Sequence, residues 1–397
     1  MSEVRVKNTG LRGITVADTK ISYIDGEKGI LLYRGYRIEE LSEKSTFPEV
    51  CWLLLHDRLP DEKEMSIFIE QLRDAGELPG FVLDCLRELP EEAMPMDVLQ
   101  AAMPLLAISD PQLSDETREG NMRKAVALIA RIPALVAAWH RIRNGLDPLP
   151  PDNSLSHAGN FLWQLQGRKP DIELASDLDI CLILHADHTF NASTFACREV
   201  VSTRAHMYAG VAAGVGALSG SLHGGANERV MRMLTEVESE KDIPAWVTMQ
   251  LDQKKRIMGM GHAVYKAYDP RARILKDMSR RLGEKFGETK WYELSDRIET
   301  AALSEFEKRG KKTLHTNVDF WSASVYHMLG IPADLMTGIF AISRIAGWCA
   351  HIIEEKFADA QEKPILYRPT AEYVGNYCGK MGCVYEPVSA RKPEASS

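Results

Sequence analysis

Apolar residues recur at helical spacing through most of the chain. After Pro60, Asp61 and Glu64 have the spacing of a capping box. Met65, Phe68, Ile69 and Leu72 then keep a 3.6-residue period, and Gly76 stands where the helix should stop. Thr46 and Glu49 repeat the box ahead of VCWLLLH, with Pro48 in the first turn. Further on, Leu335, Ile339, Ile342, Ile345, Cys349 and Ile352 line one face of a long helix. Residues 121–144 and 173–199 read as two more long helices. Residues 204–218, RAHMYAGVAAGVGAL, are mostly small. Side chains that short let a neighbouring backbone come close, so this stretch predicts tight helix packing, within the chain or between subunits. Gly214 and Gly216 do not open a dinucleotide loop, because no strand precedes them and the third glycine is out of place. Strand character is confined to ISYIDGEKGILLYRG, two β-rich runs that predict a hairpin turning at Asp25-Gly26. The pattern predicts an all-α protein with one small N-terminal β-hairpin.

Composition narrows the possible partners. The chain has 397 residues, 45% of them hydrophobic, and a formal charge of −8. That length predicts more than one domain. The basic residues form only short clusters such as DQKKR, without the basic stripe of a nucleic-acid binder. No uninterrupted apolar run approaches the ~20 residues of a membrane span. MSEVRVKNTGLRG lacks the apolar stretch of a secretory signal, so a cytoplasmic protein is expected. Cys51, Cys85, Cys181, Cys197, Cys349, Cys378 and Cys383 lie mostly in apolar contexts, which suits reduced thiols. Cys378 and Cys383 frame CGKMGC with no second Cys/His pair nearby, and His185 and His188 have no evident third ligand. No metal is therefore expected.

Three stretches carry candidate chemistry: SLHGGAN around His223, MGMGHAVYKAYDPRA around His262, and HTNVDFWSASVYHMLGIP around Asp319. Two place a histidine beside glycine. The third sets an acid among Val318, Phe320 and Trp321, where burial raises a carboxyl pKa and makes a stronger base. Singly, each also reads as a loop histidine, a structural histidine and a helix-capping acid. Arg344 is more telling, because it interrupts an otherwise apolar helix and a buried charge there needs an anionic partner.

Taken together, in this order and spacing, the three stretches resemble the citrate synthase family. DGEKGILLYRGYRIEELSEKSTFPEVCWLLLHDRLP, LHADHTFNASTFACR, RIAGWCAHIIEE and YRPTAEYVG extend the resemblance over nearly the whole chain. It implies a two-domain helical fold: a large domain of residues 1–220 and 330–397, and a small domain of residues 221–329 that binds CoA. It also implies condensation of acetyl-CoA with oxaloacetate to citryl-CoA, then hydrolysis to citrate and CoA. Asp319 matches the family's base, His223 the residue that hydrogen-bonds the thioester oxygen, and His262 the residue that polarises the ketone. Arg271, Arg344, Arg368 and His188 match the groups that hold oxaloacetate. Arg256, Ile257, Met258, Gly259, Met260 and Lys266 match the segment that receives CoA, while Gly224 and Gly225 should let the backbone turn at the thioester. The resemblance further implies a homodimer with Arg368 serving the partner's site, and domain closure once oxaloacetate binds. The alternative within the family is 2-methylcitrate synthesis from propionyl-CoA, since one methylene is worth only ~1–3 kcal/mol in a pocket.

Overall fold

The computed structural model describes residues 10–11, 13–375 and 382–391. Among them are sixteen α-helices and one three-stranded sheet. Strands Ser22–Asp25 and Ile30–Tyr33 pair antiparallel, as the sequence predicts, and a short third strand, Tyr36–Arg37, continues the meander. The turn spans four residues, 26–29, rather than two. Its glycines are there for close approach: a Cβ on Gly26 would lie 2.2 Å from the Val264 carbonyl oxygen, and one on Gly29 2.7 Å from that of Tyr268. Lys266 N and Ala267 N both donate to Gly26 O, and the Lys266 ammonium pairs with Glu27. The hairpin thus braces the segment that follows His262.

The helix Met336–Phe357 runs through the middle of the core, buried along almost its whole length. Around it pack Phe47–His56, Arg118–Ile142, Ile172–His185, Ala192–Ser202 and Met207–Ser219. Arg118–Ile142 and the stretch Ala333–Phe357 are long and apolar enough to span a membrane, but their apolar surface is mostly buried against neighbouring helices. The small-residue stretch packs within the chain. Gly214 faces Cys197 and Trp348, with the Cys197 sulfur 2.5 Å from where a Cβ would stand, and Gly210 faces Val201 and Ile352. Alanine at Gly214 would therefore force helices apart.

Helix starts follow their caps. Asp61 and Glu64 form both halves of the box. At Thr46 only half forms: Thr46 accepts from Glu49 N, while the Glu49 carboxylate takes the Ser45 hydroxyl instead. Residues 173–199 are two helices, Ile172–His185 and Ala192–Ser202, where the apolar pattern reads as one. The second has its own cap, since Asn191 Oδ1 accepts from Thr194 N at 3.1 Å, and Thr189 takes a φ of +47° between them.

A second group of helices, Ala226–Glu236, Ile243–Asp252, Pro270–Phe286, Lys290–Lys308 and Val318–Met328, packs mainly on itself. It is tied to Ile172–His185 by ion pairs of Arg281 with Asp177 and Glu173 and of Lys285 with Glu173. Cys51, Cys85, Cys181, Cys197 and Cys349 are free thiols and Cys383 is disulfide-bonded. Cys378 lies outside the described residues.

Candidate active site

The break after His185 presents His188. Gly347 N–H donates to Ala186 O at 3.2 Å, and a Cβ on Gly347 would stand 2.4 Å from that oxygen, so the core helix seats the loop only because residue 347 is glycine. Asp187 is fully buried. Its backbone N–H donates to the Tyr33 hydroxyl at 3.1 Å, its carboxylate takes the Ser22 hydroxyl, and His351 Nε2 lies 3.3 Å away. These contacts fix the backbone that carries His188.

The segments that carry His262 and Asp319 are joined by a short bridge, Met260 to Thr316. Gly261 N–H donates to His315 O at 2.7 Å, Asn317 N to Gly259 O at 2.9 Å, and Asn317 Nδ2 to Gly261 O at 2.8 Å. Gly259, at φ +74°, backs onto Phe320, where a Cβ would lie 2.7 Å from that of Phe320. Asn317 also caps the helix Val318–Met328 by accepting from Asp319 N at 3.0 Å. The cap is therefore Asn317, which leaves the Asp319 side chain uncommitted. Its Oδ1 is buried and has no hydrogen-bond partner. Burial pushes the Asp319 pKa up to about 7, against the pull of Arg271.

Hydrogen bonds fix the tautomers of two histidines. His262 Nδ1 accepts from Val264 N at 3.0 Å and from Tyr265 N at 3.3 Å, so the ring's proton sits on Nε2. His223 Nε2 accepts from Ser193 N at 3.2 Å and lies 2.8 Å from Ser193 Oγ, so its proton sits on Nδ1. Ser193 Oγ is itself held by Trp348 Nε1 at 3.1 Å. Burial lowers both pKa values to about 4, helped by Arg344 at His223 and by Arg271 at His262. Each ring is a neutral N–H donor at pH 7.

Rings and charges join these groups into one cluster. His188 and His262 lie 5.0 Å apart between ring centroids, and Tyr265 lies 5.6 Å and 4.8 Å from them. Arg271 stands over Tyr265 at 5.8 Å and is held bidentate by Asp269, at 3.0 Å and 2.8 Å. Arg344 sits over Phe340 and donates from Nε to His185 O at 2.8 Å. Its Nη1 is buried without a partner, and burial lowers its pKa to about 10. His188 Nε2 and the Tyr265 hydroxyl are likewise buried and unpartnered. A protein interior leaves such groups unsatisfied only at a cost of ~1–3 kcal/mol each, more for a charge. Gathered in one place, they offer several hydrogen-bond donors suited to a ligand rich in acceptors.

Not every sequence-matched residue joins the cluster. Arg368 is exposed, while its neighbour Tyr367 is anchored to Glu355 and Ser202. Within the CoA-matched stretch, Arg256 is exposed, Met258 and Met260 are half-buried, and Lys266 is exposed and paired with Glu27. Ile257 is buried, so like Gly259 it offers only backbone to a ligand. Gly224 and Gly225 do not take positive φ. Gly224 instead lies against Leu218, whose carbonyl oxygen would be 2.5 Å from a Cβ. Sequence reasoning missed Ser193, Asp269 and Tyr265. The YDPRA motif already holds Asp269 two residues before Arg271, but nothing in the sequence marks the other two.

An unpaired guanidinium, two neutral N–H donors and a carboxyl that titrates near neutrality are the parts of an enzyme that binds a small carboxylate, polarises a carbonyl and deprotonates a carbon acid. The sequence profile described as citrate synthase, C-terminal domain, matches residues 10–370. A citrate synthase of Haloferax volcanii is 44% identical over 371 residues, covering 92% of this chain and 95% of its own. A Bacillus subtilis protein named citrate/2-methylcitrate synthase is 38% identical, over 94% of this chain and 98% of its own. The crystal structure of citrate synthase from Pyrobaculum aerophilum superposes with a TM-score of 0.90 at 37% identity, covering 98% of this chain and all of the other. That from Thermoplasma acidophilum, a ternary complex with carboxymethyl coenzyme A and oxaloacetate, gives 0.86 at 34% identity, covering 96% and 98%. The chain belongs to the citrate synthase family. It is an acyltransferase of the kind that condenses acetyl-CoA with oxaloacetate.

Proposed function

We propose that the cluster performs this condensation with the following division of labour. Arg344 and Arg271 bind the carboxylates of oxaloacetate, with His188 Nε2 and the Tyr265 hydroxyl as further donors. His262 Nε2–H polarises the ketone. Asp319 takes a proton from the acetyl methyl group, while His223 Nδ1–H hydrogen-bonds the thioester oxygen as negative charge builds there. The enol carbon attacks the ketone, and the new alkoxide is protonated from His262. Citryl-CoA is then hydrolysed to citrate and CoA. The observation that carries the reading is the buried, unpaired Arg344 surrounded by three other unpartnered groups, one of them a carboxyl with a pKa near 7.

CoA is a co-substrate here. The exposed Arg256 and Lys266 suit its phosphates, and the Met258–Gly261 backbone lies beside His262 to receive its thioester arm. Arg368 reaches the site of the partner subunit in a homodimer, a role that its exposure on this chain supports. The helices between residues 221 and 329 form the moving small domain, and closure keeps water from the thioester until citryl-CoA has formed.

Steady-state rates with two acyl-CoAs test the substrate. The account expects kcat/KM for acetyl-CoA to exceed that for propionyl-CoA by at least tenfold. A ratio reversed in favour of propionyl-CoA would make this a 2-methylcitrate synthase.

A further inference from the structure

A cavity of ≈ 510 Å³ opens among the helices Phe47–His56, Glu62–Ala75, Arg118–Ile142, His157–Gln166 and Ile172–His185. None of its lining residues belongs to the cluster described above. The volume is that of a small-molecule site. Pro48, Leu72, Pro133, Phe161 and Ile180 supply apolar wall. The exposed Glu43 and Arg73 also line it, and two less exposed titratable groups, Asp179 and His157, stand among the apolar ones. Asp179 is 8% exposed, and its Oδ2 accepts from Phe47 N at 2.7 Å, at the N-terminus of the helix Phe47–His56. Its Oδ1 has no hydrogen bond among the described residues, and no arginine or lysine there pairs with it. His157 lines the same space, with a buried Nε2 that has no partner. Burial lowers the His157 pKa to about 4, so the ring is neutral and does not compensate the carboxylate.

Such a carboxyl is costly to bury. One oxygen is held by the positive end of a helix, the other has no ion-pair partner among the described residues, and burial pushes the Asp179 pKa up to about 7. An acidic group placed against Asp179 would hold it protonated or be repelled, and a purely apolar one would leave Oδ1 desolvated. A ligand cation removes both costs at once, by a charge-assisted hydrogen bond that favours the ionised carboxylate. We propose that this cavity is a second ligand site that takes a small organic cation. Its apolar or aromatic body sits between Pro48, Leu72, Phe161 and Ile180, and its protonated amine or amidine pairs with Asp179 Oδ1.

Benzamidine is a suitable probe, with benzamide as the uncharged isostere and benzoate as the anion. Calorimetric titration of the full-length enzyme should show saturable one-to-one binding of benzamidine, with Kd of ~1 mM or tighter. Benzamide and benzoate should bind at least tenfold more weakly. Asp179→Asn should weaken benzamidine at least tenfold, and so should Ile69→Trp, which enlarges a lining side chain and leaves the carboxyl in place. Both variants lie outside the catalytic cluster and should keep wild-type citrate formation, which also reports that they fold. Where one fails to fold, the other decides. Saturating oxaloacetate should leave the benzamidine Kd unchanged. The proposal is overturned if benzamidine does not saturate, if folded variants bind it as tightly as wild type, or if oxaloacetate displaces it.

Discussion

Arg344 carries a charge into the middle of the core helix, where Nε is committed to a backbone carbonyl and Nη1 is left unpaired. Leaving that nitrogen unpaired is unfavourable, and in the proposed reading the oxaloacetate carboxylate pairs it. Arg344→Met keeps the volume and removes the charge. The account expects a higher melting temperature than wild type, with an oxaloacetate KM raised ~10²-fold or more, since losing one partner of a buried ion pair costs about 3–5 kcal/mol. Thermal unfolding and steady-state kinetics check the two halves separately; a lower melting temperature with unchanged KM would contradict it. Arg344 was legible in the sequence as a charge amid apolar helix positions, and Asp319 as an acid between Val318 and Phe320. Tyr265 and Ser193 were not legible. An orphaned hydroxyl becomes visible only when burial is known, and Ser193 matters through a partner thirty residues away.

At the scale of elements, the site depends on interruptions. The loop between Ile172–His185 and Ala192–Ser202 delivers His188 from one side, and the first turn of Ala192–Ser202 delivers Ser193 to His223. The sequence reads through this break because the apolar period continues across it. Its sign was the Asn191 cap, which the local pattern does not separate from an ordinary helical polar residue. The hairpin was read correctly as to existence and strand positions, but its turn is longer because it serves as a docking surface for residues 264–268. Ser193→Ala tests the element's role. It removes the hydroxyl that neighbours His223 Nε2 and accepts from Trp348, while keeping the backbone donor. The expected result is a tenfold or greater fall in kcat with oxaloacetate KM unchanged, since the role proposed for His223 is at the thioester alone. A rise in oxaloacetate KM with kcat preserved would assign Ser193 to the wrong substrate.

For the whole molecule, the account requires two chains. Arg368 is exposed, and the proposed role for it makes each site complete only in a homodimer. Mixing two damaged subunits tests this. In a heterodimer of Arg368→Ala and Asp319→Asn, one site carries both lesions and the other neither. Activity should return to about half of wild type per dimer, by symmetry of the two sites. If Arg368 acted within its own chain, every site would carry one lesion and the heterodimer would stay inactive.

The central claim is that Asp319 is the base, and its protonation state ties chemistry to stability. Its pKa in the folded protein, about 7, lies above the 3.8 of an ordinary aspartate, so between these values the folded state holds a proton that the unfolded state releases. Stability from this group is present at low pH and lost as pH rises from about 4 through 7, while base strength is gained over the same upper range. Asp319→Asn keeps the shape and abolishes both effects. The decisive measurement is the kcat of this variant at pH 8, with its oxaloacetate affinity measured in parallel. The account predicts a fall in kcat of at least ~10²-fold with oxaloacetate binding little changed. Near-wild-type turnover by the purified, folded variant would contradict it.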